Sequence, residues 1–405
     1  MLDLGLHRAD RRAFHRALTD HHGIRVRVTV LNLEHEPLGD LTNDVLDGQV
    51  NIDADAEVTR SLTVTFLDRR RTLDFDSDSP ANGALYANRM LRVAYEVRVD
   101  AFGDWVNVPI FTGPVIKLDR TDDEVTVECQ GKELLALAQA WRPMTIKKGT
   151  PKVDAIRRLL RERAGESRFD LPDMAEKLPK RVTIGRESQP WLVARKIAES
   201  MDRQLFYDGR GVCRMRRYPG NAGYTFNDGD GGDVLTAPQV AFSMDEVANA
   251  VWVKGGKPKH GKPKNWADLT DQEKEDLRKE WDKERGVRYF HTAPRSHPLS
   301  PWRLGRNGEP RYLLHVIDND AIRSEKQART IGRRVLHHKL RQLVEVTFDS
   351  LPVPHLEPED RVRVHTDQLG MTLRVGQVSI PLKHDQAQSN GYLAKRSADR
   401  RRDRK

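Results

Sequence analysis

The sequence has few cysteines, few aromatic residues and no long apolar run. Only Cys129 and Cys213 are present among 405 residues, and aromatic residues make up 6%. Cysteines so far apart give neither a zinc ligand cluster nor a dense disulfide framework, so we expect two buried free thiols. No apolar run approaches the roughly 18 residues of a membrane helix, so we expect no membrane span. The N-terminus lacks a basic region followed by an apolar stretch, which predicts synthesis in a cytoplasm without a secretion signal.

Motifs for catalysis are also missing. The chain contains no Gly-x-Ser-x-Gly, no His-Glu-x-x-His and no Gly-x-x-x-x-Gly-Lys-Ser/Thr phosphate loop. Asp228, Asp230 and Asp233 lie in a Gly-rich loop, but an EF-hand would require Gly at Asp233 and Glu at Gln239, so an interdomain loop is favoured. The two pairs of adjacent histidines cannot each hold one metal ion, because neighbouring side chains on a helix point about 100° apart. We therefore expect no bound cofactor or metal and no enzymatic activity.

The net charge of +9 is unevenly distributed. Residues 395–405 contain seven basic and two acidic residues, so more than half of the surplus lies in this segment. Such a run is typical of a solvated tail or of a tail that docks on a partner. We expect the partner contacts to include Arg400, Arg401 and Arg402. Contact with DNA is the alternative.

The length predicts several domains, because 405 residues are too many for one ordinary core. Residues 1–145 contain about seven strand patterns, such as Ile24–Leu31, without intervening helices, which is typical of a β barrel or sandwich. A short basic amphipathic helix precedes the first strand. This segment is predicted to be an N-terminal β-barrel domain.

Residues 146–235 predict a small α/β domain. Thr150 and Pro151 are predicted to start a helix that ends at Gly165, and Ser188 is predicted to cap a second helix. A hairpin follows.

Residues 236–385 predict a second β-barrel domain, followed by a basic flexible tail over 386–405. An exposed insert over 256–311 is predicted to interrupt the domain, because it is rich in Lys, Pro and paired charges. A helix over 324–342 is also predicted in this domain.

The insert carries the predicted partner-binding aromatics. Thr270 and Glu273 form a capping box for a helix whose apolar stripe has only Leu277 and Trp281. Trp281 and Trp302 lie in this polar context, where contact with another subunit or protein explains a large aromatic as well as local packing does.

Three segments resemble the phage tail hub, or minor tail protein, family, which includes contractile baseplate hubs and the N-terminal modules of tail-associated lysins. The first segment contains Phe-Thr-Gly-Pro-Val at 111–115 and a second strand before an apolar helix. The second is Leu-Phe-Tyr-Asp-Gly-Arg-Gly at 205–211, and the third is the proline-bearing run 351–364. Glu359 stands in the third segment where the family usually has Gly, so we expect that turn to avoid a glycine-only conformation.

The resemblance implies a fold and an assembly role. The implied fold is α+β, with two β-barrel-like tail-hub domains and an intervening small α/β domain. The implied role is a structural tail-tip hub of the virion, a homotrimer whose pseudo-hexameric ring adapts the sixfold tail tube to a threefold tip. The implied partners are other copies of the chain, distal tail and tail tube proteins, tip or fibre proteins, and the tape-measure protein and DNA in the lumen.

Three alternatives stay open. A distal tail ring protein would need one barrel and a separate sandwich. A nucleic-acid-binding protein would explain the basic tail, although the chain lacks a recognised DNA-binding motif. A hub with an undetected cell-wall hydrolase activity is the third, although about twenty residues after the last predicted strand leave no room for an added enzyme domain.

Overall fold

A computed structural model of the chain describes residues 1–20, 23–73, 84–138, 142–242, 244, 247–257, 270–276, 285–340, 344–367, 369–383 and 386–394. The described part of the N-terminal third contains one α-helix and seven strands, with a 3-10 turn over Thr42–Asp44. They are α1 (Arg8–Ala17), β1 (Ile24–Leu31), β2 (Pro37–Asp40), β3 (Val45–Asp53), β4 (Arg60–Leu67), β5 (Met90–Val99), β6 (Asp104–Thr121) and β7 (Glu124–Gln130).

The hairpin of β6 and β7 forms as its alternating pattern predicts. Thr121 pairs with Glu124, and Asp122 takes the turn with a φ of 54°. Gly113 permits a close approach of the two strands, because a Cβ atom there would lie 1.9 Å from the Gln130 carbonyl oxygen.

The middle of the chain is a small α/β unit. Its elements are α2 (Glu133–Leu137), β8 (Met144–Ile146), α3 (Lys152–Ala164), β9 (Phe169–Asp170), β10 (Val182–Ile184), α4 (Pro190–Glu199), β11 (Gln204–Tyr207) and β12 (Cys213–Arg216). Strand β8 pairs with β10, and β12 lies between β11 and β9. The helices pack around the fully buried Trp191.

The described part of the C-terminal half contains nine strands and two α-helices whose first and last residues are both described. They are β13 (Tyr224–Asn227), β14 (Gln239–Phe242), β15 (Ala250–Gly255), β16 (Arg288–Thr292), α5 (Pro301–Leu304), β17 (Leu314–Asn319), α6 (Glu325–Lys339), β18 (Val344–Ser350), β19 (Arg361–His365), β20 (Gly370–Pro381) and β21 (Gln388–Ala394). A further helical stretch, 271–276, follows Thr270.

One 13-stranded sheet joins the two ends of the chain. Its order is β14-β18-β21-β20-β3-β4-β7-β6-β5-β1-β2, with β19 paired to β20 and β13 added in parallel to β19. The junction is the antiparallel pairing of β3 with β20. This sheet and the helical units give the predicted α+β fold; the two-barrel arrangement stays a prediction.

The described residues form three hydrophobic clusters. The largest lies against the long sheet and includes Phe14 of α1, so the leading helix packs on its own chain. The second belongs to the α/β unit. The third lies between α6 and the small sheet β16-β15-β17, and it includes Val251 and Val253 of β15.

Helix ends were predicted with mixed success. Gly165 ends α3 in a left-handed conformation, as predicted. The helix predicted from residue 324 begins there, where the Ser324 hydroxyl accepts a hydrogen bond from the Gln327 amide. The Thr150 and Ser188 caps are wrong. The Thr150 hydroxyl donates to the Lys147 carbonyl, and the Ser188 hydroxyl accepts from the Gly185 amide, so both stabilise the preceding turns.

The prediction that residues 256–311 project as an arm is wrong for their second half. Strand β16 pairs with β15 over five residue pairs, and Tyr289 packs on the third cluster. The capping box is confirmed: the Glu273 amide donates to the Thr270 hydroxyl, and the Thr270 amide donates to the Glu273 carboxylate.

The flexible tail was predicted to begin at residue 386, which is wrong for residues 388–394. Strand β21 lies between β18 and β20, and Tyr392 is fully buried. The strand was missed because its buried side chains include amides. Asn390 donates to the Phe348 carbonyl and Ser350 hydroxyl, and accepts from the Tyr392 hydroxyl.

The turn at Glu359 also differs from expectation. Glu359 has a φ of 69°, which is the left-handed conformation that Gly adopts most readily. Its carboxylate accepts from the Arg374 guanidinium at 2.6 Å. The ion pair therefore holds a turn conformation that the side chain itself disfavours.

Candidate functional site

The described residues contain no metal centre. No group of three or more His, Cys, Asp or Glu side chains among them is placed to hold a metal ion. Cys129 and Cys213 are free and buried, as predicted, and burial raises the pKa of both thiols. Asp233 of the Gly-rich loop accepts hydrogen bonds from the Tyr224 hydroxyl at 2.6 Å and the Asn227 amide at 2.7 Å, so it supports the loop internally.

Of the predicted partner-binding residues, the structure describes Trp302. It lies on α5 with 41% of its surface exposed, and the Arg295 guanidinium carbon lies 4.9 Å from the ring centroid. Trp281, Arg400, Arg401 and Arg402 lie outside the described residues. The predicted contact role of these residues stays a prediction.

A buried arginine ties three parts of the chain together. The Arg60 side chain on β4 donates to the Tyr207 carbonyl of β11 and to the Glu357 carboxylate, both at 2.6 Å. It also donates to the Ile110 carbonyl at 3.2 Å. Burial raises the pKa of the Glu357 carboxyl, and the charge of Arg60 opposes that rise. This junction fixes the α/β unit against the long sheet.

The long sheet ends in two exposed strands. All four residues of β2 at one end and all four of β14 at the other are exposed. Leu38 of β2 is 54% exposed, and Phe242 of β14 is 76% exposed. Natural proteins usually cover or charge such edges, because their free backbone groups pair with other chains.

A cavity of about 750 Å³ adjoins β2 and is termed the arginine cavity. Asp40 is its one carboxylate among the lining residues, whereas four arginines line it: Arg27, Arg92, Arg168 and Arg210. Arg27 pairs with Glu96 at 3.4 Å, and Arg168 donates to the Arg210 carbonyl at 3.0 Å. Burial, and then the charge of Arg168, lower the pKa of Arg92. The cavity therefore concentrates positive charge beside a free sheet edge.

Besides the edges of the long sheet, the small sheet presents an apolar surface on its face opposite α6. Trp252 lies between Phe290 of β16 and Val316 of β17 in the strand register. Phe290, Val316 and the neighbouring Leu314 are exposed. Lys254 places its ammonium 4.4 Å from the Trp252 ring centroid. Aromatic residues flanked by cations are typical of protein contact surfaces.

The sequence analysis did not predict the exposed edges of the long sheet or the open face of the small sheet. A charge signal was available, because residues 219–249 contain five acidic residues and no Lys or Arg, whereas residues 285–316 contain six Arg and one Glu. Segments of one charge sign around exposed apolar residues indicate complementary contacts.

These features define an α+β protein built on one long sheet with exposed edges. Searches with family models and against curated proteins find no match. Among the described residues, no helix is long and apolar enough to cross a membrane.

Solved structures do match the chain. A tail protein from Neisseria meningitidis MC58 aligns with a TM-score of 0.55 and 12% identity, over 92% of this chain and 97% of that protein. A 43 kDa tail protein of prophage MuSo2 from Shewanella oneidensis gives the same TM-score and identity, over 92% of this chain and 98% of that protein. The chain therefore has the fold of phage tail proteins, and the resemblance seen in the sequence is confirmed at the level of the fold.

Proposed function

We propose that this chain is a structural hub of a phage tail tip. It forms a homotrimer whose two β-barrel-like domains per chain build a pseudo-hexameric ring, which adapts a sixfold tube to a threefold tip. The observation that carries this proposal is the shared fold with two tail proteins over nearly their whole lengths. The exposed edges β2 and β14 support it, because a sheet with two free ends can continue into other copies.

In this proposed role the hub acts through its shape and symmetry, and it catalyses no reaction. The open face of the small sheet, with Trp302 nearby in sequence, is the proposed attachment surface for tip or fibre proteins. Distal tail and tube proteins contact the ring, and the tape-measure protein and DNA occupy or pass its lumen. The predicted domain limits at residues 145 and 235 stay predictions.

Copy number and symmetry in assembled tails test this function. Tails that contain the chain are purified, their tips are imaged by cryo-electron microscopy, and copies are counted by quantitative mass spectrometry. Three copies on a threefold axis at the tip are expected. Six copies in one ring would support the distal tail ring protein instead, and absence from tails would refute both.

A further inference from the structure

We propose that the arginine cavity is half of a site that a second copy completes: β14 of one chain pairs with β2 of the next and brings carboxylates to Arg92 and Arg168. The inference rests on the proposed homotrimer and names its contact. It concerns residues at the two opposite ends of one sheet, which a single chain leaves apart.

The first argument is backbone pairing. Strand β14 pairs with β18 on one side, and β2 pairs with β1 on one side, so each has an outer row of N–H and C=O groups. Both strands contain four residues, and each exposes apolar side chains, Leu38 on β2 and Val240 with Phe242 on β14. Strand addition between such edges gives hydrogen bonds along the backbone and covers the apolar groups.

The second argument is charge. Arg92 has no ion pair among the described residues, and Arg168 lies close enough to lower the pKa of Arg92. Two neighbouring guanidinium groups in a cavity favour an anionic partner such as a carboxylate. Residues 219–249, which include β14, contain five acidic residues and no Lys or Arg, and the exposed Asp230 is among them, so this segment is complementary in charge to the cavity.

The contact is between different surfaces of identical chains. A contact of this type closes into a ring when its rotation divides the circle evenly. The same chain cannot satisfy its own site, because β14 is held by β18 at the far end of the sheet. The arginine cavity is therefore incomplete in one chain.

Two charge variants of the full chain test the contact by sedimentation velocity and native mass spectrometry. Arg92→Glu replaces one cation of the cavity with an anion, and Phe242→Asp disrupts the donor strand. Each is expected to raise the trimer dissociation constant at least about 100-fold. Matched controls are Arg98→Glu, on the same strand with an exposed side chain, and Phe102→Asp in an exposed turn. Both controls should remain trimeric, and circular dichroism should show all four variants folded.

Mixing the two variants gives the sharpest result. The Arg92→Glu chain keeps an intact β14, and the Phe242→Asp chain keeps an intact cavity, so an equimolar mixture should form a dimer through one restored contact. A mixture that stays monomeric overturns the pairing of these two surfaces.

The outcomes separate this inference from the proposed function. If the wild type is trimeric and both variants remain trimeric, the inference fails and the homotrimer stands. If the wild type stays monomeric at high concentration, the homotrimer fails and the inference falls with it. If Arg92→Glu remains trimeric but loses a thermal stabilisation by inorganic phosphate that the wild type shows, the cavity binds free anions and the proposed contact is wrong.

Discussion

Replacing His355 with phenylalanine should reduce the acid sensitivity of the long sheet. The His355 side chain is buried, and neither ring nitrogen has a hydrogen-bond partner among the described residues. Its ring packs 5.3 Å from that of Phe14 and 5.2 Å from that of His15, measured between centroids. Burial lowers the pKa of His355 well below its usual value, and the charges of His15, the Met1 ammonium and Arg11 lower it further.

The size of the effect follows from proton linkage. The unfolded chain binds a proton at this histidine below about pH 6.5, whereas the folded chain does not until far lower pH. Stability from the neutral buried ring is therefore fully present above about pH 6.5 and is lost as the pH falls below it. At pH 5.0 the loss is about 2 kcal/mol relative to neutral pH, since one pH unit corresponds to about 1.4 kcal/mol. The His355→Phe variant has no such loss, because its ring does not titrate.

Urea unfolding at pH 7.5 and pH 5.0 measures this difference. The wild type should lose about 2 kcal/mol more than His355→Phe between the two conditions. His365→Phe removes an exposed histidine from β19 and serves as the matched control, which should retain the wild-type pH dependence. Equal pH dependence in wild type and His355→Phe would refute the reasoning, because it would mean that the buried ring is protonated or solvated in the folded chain.

Two further changes test the packing. Arg60→Met should reduce the free energy of unfolding by roughly 3–5 kcal/mol, because it leaves the buried Glu357 carboxylate without its partner, and adding Glu357→Gln should recover part of the loss. Thermal unfolding measures the single and the double variant. A loss smaller than that of Arg98→Ala, which removes an exposed ion pair, would contradict this prediction. Gly113→Ala should cost roughly 1–3 kcal/mol or more, because the new Cβ atom would meet the Gln130 carbonyl. Gly370→Ala is the control, because its Cβ atom enters open space and the variant should stay within about 0.5 kcal/mol of the wild type. Equal melting temperatures of these two variants would show that β6 and β7 separate freely.

Local patterns predicted the regular strands and failed where polar side chains are buried. Strand β1 occupies the predicted residues 24–31, because its apolar residues alternate. Strand β21 was missed because Gln388 and Asn390 read as loop residues. Each is buried because it has a partner distant in sequence: the Gln388 amide oxygen accepts from the Val353 amide, and Asn390 donates to Phe348. Sequence reasoning cannot assign such residues before the partner strands are known.

The candidate assembly surfaces were predicted less well than the fold. Hydrophobic alternation identifies a strand but does not tell whether that strand ends a sheet, so the sequence alone does not place Val240 and Phe242 on an outer strand. Four arginines from β1, β5 and the α/β unit meet in one cavity only after the long sheet and that unit pack together. Tertiary arrangement, and not local sequence, creates that site.

The pairing of β3 with β20 places a demand on synthesis. Residues 49–53 of β3 bond to residues 377–381 of β20, which the ribosome adds about 330 residues later. At a translation rate of roughly 5–20 residues per second, the edge of β3 stays unpaired for about 15–65 seconds before β20 is synthesised. During that interval a neighbouring nascent chain can offer its own β20, so the yield of correctly closed chains should depend on the speed of translation.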